Sequence, residues 1–226
     1  MNNLRHAIAS LILSGLYLIW SEAAFSLVGA ELSIGSKSSL VKQLTPVSTQ
    51  VGKGAGMSTT VDAFVQPMAS LPVNVGVYYG MDSISGTADS GNKYKMSQKM
   101  GGILVGVTYP VTIVTLMLKG GYILTGSSSM GANSTDDYKA KTGISESSFS
   151  AGKLSGYKIS GGLAYSILPM LEATLTYSAV TESVSFQSSS TVLASDGRSV
   201  ESDFSESPVN VTTAGSIIAI GMRFKI

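Results

Sequence analysis

The sequence has no cysteine, which excludes disulfides, thiolate metal sites and cysteine nucleophiles. It has one histidine, His6, so a histidine base is scarce from the start. Charge is also scarce: 13% of the 226 residues, against about a quarter in an ordinary soluble domain. The net charge of +1 gives no electrostatic case for nucleic acid or for an anionic surface. After the first two dozen residues no apolar run approaches the ~18 residues of a membrane-spanning helix. A chain poor in charge yet without spanning helices fits a β-sheet whose apolar residues are diluted by alternate polar ones.

The first stretch reads as a targeting segment. Arg5 and His6 precede an apolar run from Ala7 to Trp20, and Ser21-Glu22-Ala23 has the small-x-small form of a cleavage site. Residues 1–23 are expected to be a signal peptide, with cleavage after Ala24 as the neighbouring choice. An uncleaved anchor helix is the alternative, and the run is short for it. Residues 24–226 then form one domain without histidine.

What is present is a period of two. From Ile218 the large residues are Ile218, Ile220, Met222, Phe224 and Ile226, and between them lie Ala219, Gly221, Arg223 and Lys225. Such alternation puts the two sets on opposite faces of a strand. It recurs in Leu27–Gly35, Ala55–Gln66, Val73–Asp82, Tyr94–Tyr109, Thr112–Thr125, Lys153–Ile167 and Leu171–Glu182. Phe64 and Leu104 break the rule by falling among the polar set, and Ile113, Met117 and Ile123 blur it. The connections alternate in length. Pro67–Pro72, Pro110–Val111 and Leu168–Met170 are short and contain proline, which does not sit inside a ladder. Ser36–Gly54, Ser83–Lys93, Gly126–Gly152 and Ser183–Pro208 are long and rich in Ser, Thr, Gly and Asp. An all-β fold of eight antiparallel strands, closed into a transmembrane barrel, is expected over 24–226. Ten strands remain open if Leu40–Val51 or part of Gly126–Gly152 forms a hairpin.

Signal segment, eight alternating strands, short proline turns and a strand-like C-terminus together resemble the small bacterial outer-membrane β-barrels, the OmpA-transmembrane-domain and OmpX-like proteins. Phe224 and Ile226 resemble that group's assembly signal, although its members usually end in Phe or Trp. The resemblance implies an outer-membrane location with both termini in the periplasm. Its implied partners are outer-membrane lipids and lipopolysaccharide, the barrel-assembly machinery, and a surface ligand met by the long loops; nucleic acid is not among them.

No catalytic, cofactor or metal set stands out. Enzymes that this shape resembles use histidine, and no spacing of carboxylates picks out a pair, so the chain is expected not to be an enzyme. The inward parity instead collects charges: Glu31, Asp62, Asp82, Lys119, Lys158, Glu172, Glu182, Arg223 and Lys225. Buried charges need partners. An ion-pair network through Glu31, Asp62, Lys119, Lys158, Glu172, Arg223 and Lys225 is expected to fill the interior, with a gate or narrow water path as the alternative. The functional expectation is a structural or surface-interacting barrel with long external loops and a largely plugged interior; the alternative is a narrow porin-like channel. Gly52–Gly56 has the wrong spacing for a phosphate loop and is expected to be a flexible loop end. Asp196-Gly197 is expected to turn at the tip of the last long loop.

Overall fold

The computed structural model describes residues 27–44, 49–67, 72–89, 91–133, 144–186, 188–194, 198–203 and 209–225. The expected signal segment, the tip at Asp196-Gly197 and Ile226 lie outside them. Ten strands follow in order: β1 (Leu27–Leu44), β2 (Thr49–Gln66), β3 (Val73–Ala88), β4 (Lys93–Val111), β5 (Val114–Asn133), β6 (Ile144–Leu168), β7 (Leu171–Phe186), β8 (Ser188–Ala194), β9 (Ser199–Asp203) and β10 (Val209–Lys225). Eight of them close a ring. Each of β1 to β6 pairs antiparallel with the next, and β10 joins β7 to β1. The barrel is therefore eight-stranded. Both Leu40–Val51 and the ends of Gly126–Gly152 do pair, but as continuations of strands already in the ring. The extra hairpin is β8–β9, which adds to the outer end of β6 at Ile144–Ser147.

Closure settles the backbone and parity settles the surface. On β10 the outward residues Ile218, Ile220, Met222 and Phe224 are exposed, Ile220 at 69%. The same belt runs through Leu32 and Ile34, Val75 and Val77, Val105 and Val107, Leu116 and Leu118, Leu163, and Leu175. A continuous apolar band of this extent is foreign to a water-soluble surface and matches a lipid-facing wall. Tyr79, Tyr122, Tyr157 and Tyr177 edge the belt toward one rim, and Tyr109, Tyr165 and Phe224 toward the other, where β1 begins and β10 ends. The rim holding those two strand ends is called the near rim below.

The ring strands run 16 to 25 residues, whereas ~9–11 suffice to cross a bilayer. The excess stands beyond the far tyrosines, and there the polarity inverts. Outward positions become Ser36 and Ser38, Ser83 and Ser85, Lys95 and Ser97, Ser127 and Ser129, Ser183 and Asn210. Inward positions become apolar: Val41, Ile84, Met96, Leu154, Val184, Phe186 and Val211 are buried in one cluster, with the Phe149 ring 5.5 Å from that of Phe186. The far part thus has the inside-in arrangement of a soluble barrel. The long-loop expectation for Ser36–Gly54 and its counterparts is corrected here. The described residues at their ends do not continue the apolar-outward pattern, yet they continue the strands, because water replaces lipid outside and apolar side chains replace charges inside.

Three local corrections follow from packing. Thr125, which strict alternation from Thr115, Lys119 and Gly121 puts on the inner face, points outward because the β4–β5 register moves from Gly101↔Thr125 to Gly102↔Ile123 and Leu124 becomes a bulge. The β4–β5 turn is Thr112-Ile113 and not Pro110–Val111, with Thr112 at φ 57°. Gly52–Gly56 is part of β2 and is not a flexible end: the Tyr94 ring lies against Gly52 and Gly54, where an added Cβ would stand 2.8 Å and 2.5 Å from Tyr94 atoms. Phe64 is inward for a related reason. It sits level with Gly29 and Gly76 on the flanking strands; a side chain at Gly29 would meet its ring, and one at Gly76 would meet its Cα and Cβ.

Removing a methylene-rich side chain from the far cluster leaves a cavity that a closed barrel does not collapse. Ile84→Ala is expected to lower the unfolding free energy by about 2–5 kcal/mol, measured by urea unfolding of vesicle-reconstituted protein. Ile220→Ala, whose side chain meets fluid lipid, is expected to give a much smaller loss.

Candidate functional site: the charged interior

Four charged residues stand side by side on the wall near the near rim. Register sets Glu172 opposite Arg223, Arg223 opposite Glu31, and Glu31 opposite Asp62. The first two steps alternate in sign, but Glu31 against Asp62 sets two carboxylates face to face, which by itself destabilises a sheet. Lys119 removes the conflict from the opposite wall. Its Nζ donates to Glu31 Oε2 at 2.7 Å and to Asp62 Oδ2 at 2.8 Å. Arg223 donates through Nε and Nη2 to the same Glu31 oxygen at 3.1 and 3.0 Å, and its Nη1 lies 3.5 Å from Glu172 Oε2. Lys225 Nζ donates to Glu172 Oε1, and Thr174 Oγ1 donates to Glu31 Oε1 at 3.3 Å. The Arg223 guanidinium also lies 5.3 Å from the centre of the Phe64 ring, which gives the inward aromatic a second role.

Six of the seven residues singled out in the sequence thus meet in one network. The seventh, Lys158, stands deeper, its Nζ 5.4 Å above the Tyr78 ring. Around it lie hydroxyls: Ser160 and Ser178 share a hydrogen bond of 2.8 Å, and Ser58, Thr60 and Thr176 complete the layer. Tyr78 fits because Gly102 and Gly121 on β4 and β5 leave room for its ring, which a Cβ at either would approach to 2.7 and 3.2 Å.

A second network sits at the level of the far tyrosines and was not picked out from the sequence. Lys37 Nζ donates to Asp82 Oδ2 at 2.5 Å, to both oxygens of Glu182 at 2.9 and 2.8 Å, and to Gln98 Oε1 at 3.4 Å. Thr213 Oγ1 donates to Glu182 Oε2 at 2.8 Å. The strut therefore ties β1, β3, β4, β7 and β10 across the lumen. Lys37 is 1% exposed, so its ammonium has exchanged all its water for these oxygens. It was missed because the first strand was ended at Gly35, where the outward apolar residues stop. The inward parity of Glu31, Ser33 and Gly35 continues through Lys37 and Ser39 and was the available signal.

The interior leaves little space. Around Lys158 the voids are about 20 and 10 Å³, room for roughly one water each. A cavity of about 380 Å³ opens at the near rim among Phe64, Asn74, Thr108, Arg223 and Lys225, and ends against the first network. Beyond the second network lies the apolar cluster. Among the described residues five cations (Lys37, Lys119, Lys158, Arg223, Lys225) and five carboxylates (Glu31, Asp62, Asp82, Glu172, Glu182) share the lumen, so their charges balance. Phe224, on the lipid side of the last strand, takes no part in this interior.

No family model matches the chain, and no curated protein sequence does. Solved structures do. The outer membrane protease OmpT from Escherichia coli is 10% identical, with 92% of this chain and 100% of that one covered at a TM-score of 0.53. Neisserial surface protein A is 12% identical over 86% of this chain and 97% of its own, at 0.43. Ail, the attachment invasion locus protein of Yersinia pestis, is 14% identical over 87% and 98%, at 0.40. The fold is that of the small outer-membrane β-barrels, all-β and closed.

Breaking a fully buried pair from one side leaves an uncompensated charge. Lys37→Gln, which leaves Asp82 and Glu182 without their shared cation, is expected to cost about 3–5 kcal/mol of unfolding free energy, while Lys225→Ala at the more open near rim costs about 1 kcal/mol or less. Urea titrations of the two variants in vesicles check both values.

Proposed function

We propose that the protein is a non-catalytic barrel of the bacterial outer membrane that works through the part standing beyond the bilayer and does not act as a diffusion pore. The observation that carries this reading is the succession of barriers along the lumen. Two ion networks and an apolar cluster lie in series, and the voids described around Lys158 hold roughly one water each. A conduit for solutes needs continuous water and binding weak enough to release. Lys37 and Glu31, each held by several charged or polar partners, have the opposite character.

The near rim is taken to face the periplasm. The connections there that lie among the described residues are two residues long, Thr112-Ile113 and Pro169-Met170, and short turns mark that side of outer-membrane barrels. The far extension, with its β8–β9 hairpin, is then on the outside, where a surface ligand would meet it. A catalytic role has little to draw on. His6 lies in the expected signal segment, and each interior carboxylate is engaged by a cation or stands beside one.

Reconstituted, signal-free protein, with folding verified by its gel shift between boiled and unboiled samples, is expected to stay silent in a planar bilayer. Steady current steps that disappear on Arg223→Gln would instead make the lumen a conduit and replace this reading with the channel. Protease added to intact cells is expected to cut the far-rim connections and spare the near-rim turns.

A further inference from the structure

Beyond the far tyrosines the outer face of the wall carries lysines, while the charges inside lie at or below that level and are balanced. Among the described side chains, Glu31, Asp62, Asp82, Glu172 and Glu182 are buried within the barrel, and Asp89, at the turn after β3, is the one exposed carboxylate. Lys42, Lys53, Lys93, Lys95, Lys99 and Lys153 are all exposed on the outer face. The net charge of +1 does not register this, because the interior charges cancel one another and the outer lysines are offset in the sum by Asp89 and by acids outside the described side chains. The expectation of no electrostatic case for an anionic surface was drawn from that sum, which does not register where the lysines stand.

The lysines are not spread evenly. β7 and β10 present Ser183, Asn210 and Ala214 at these levels and no lysine, whereas β4 alone carries three. Register sets Lys99 level with Ser127, and Ser127 level with Lys153. With strands about 4.8 Å apart, the two lysines flank the serine at roughly 10 Å from each other. On the other side Lys99 is level with Met81, one outward position above Tyr79. The row therefore lies just outside the aromatic edge of the belt, at headgroup depth. A concavity of about 720 Å³ opens here, lined by Met57, Met81, Ser97, Lys99 and Ser127 among others.

We propose that this wall, from β3 to β6, is a binding site for the phosphorylated headgroup of a lipid in the leaflet that surrounds it. Lys99 and Lys153 hold phosphate oxygens as point charges, and the hydroxyls of Ser97 and Ser127 donate to them. Met57 and Met81 meet the first methylenes of the acyl chains, which continue down the belt. A soluble polyanion would have no use for the methionines and would favour the higher lysines, Lys93 and Lys95. The inference rests on the membrane-spanning reading above, since the depth of the row is defined by the belt.

Native mass spectrometry of the refolded barrel in detergent micelles tests it. The probes are dioleoyl phosphatidic acid, dioleoylglycerol, which has the same chains without phosphate, and inorganic phosphate. Phosphatidic acid is expected to be retained at least about tenfold more tightly than dioleoylglycerol, and Lys99→Gln/Lys153→Gln is expected to lose at least about tenfold of that. Lys42→Gln/Lys53→Gln, placed on another part of the wall, is expected to change it little. Equal retention of the two lipids, or no effect of the Lys99/Lys153 pair, overturns the site. Displacement by inorganic phosphate at the same concentration, or loss confined to Lys93→Gln/Lys95→Gln, overturns it in favour of a soluble polyanion. Each variant's gel shift shows whether it folds. Loss of retention in a folded variant concerns the site, whereas a wild-type chain that never shows the shift concerns the membrane barrel itself.

Discussion

A charge enclosed by a lipid-facing wall has only other enclosed charges to turn to, and the interior of this barrel is built on that constraint. Removing an ion from water is so unfavourable that an unmatched one would neutralise or unfold its surroundings. Here five cations and five carboxylates share a lumen with room for little water. The pairings are not local in sequence: Lys37 reaches Glu182 across 145 positions and Arg223 reaches Glu31 across 192. Such contacts form only when β1 and β10 meet, so closing the sheet and neutralising the interior are one event.

The remaining architecture follows from where that constraint ends. Within the belt, lipid takes the apolar side chains and the lumen takes the polar ones. Beyond the far tyrosines water surrounds the wall, so the same strands reverse their faces without breaking, and Ile84, Val184 and Val211 turn inward where Asp62 and Glu31 did nearer the other rim. One chain therefore carries both kinds of barrel end to end, a polar-cored one in the membrane and an apolar-cored one above it. The apolar cluster follows the ion networks along the same lumen.

The placement of charge shows why totals mislead for a barrel. Charge counted along the chain is nearly zero, and among the described residues the interior is itself balanced, five cations against five carboxylates, while six lysines stand on the outer face. Strand parity decides which charges are enclosed and must be paired, and which are left facing outward.

The period of two in the sequence determined a great deal. It marked the eight spanning segments, the lipid-facing set from Val28 to Phe224 and the inward charges Glu31, Asp62, Lys119, Glu172 and Arg223, because alternation is a property of one strand and needs no partner to be seen. The tertiary structure decided whatever depends on neighbours. The strands run past Gly35 and Asp82 because the solvent outside changes, which a rule tuned to apolar-outward positions reads as a loop. Phe64 faces inward because glycines on two other strands make room for it. Thr125 faces outward because a bulge after Tyr122 shifts the parity. Lys37 became visible as the centre of an ion network only when five strands brought Asp82, Gln98, Glu182 and Thr213 around it, since charge pairing acts through space and leaves no trace in spacing along the chain.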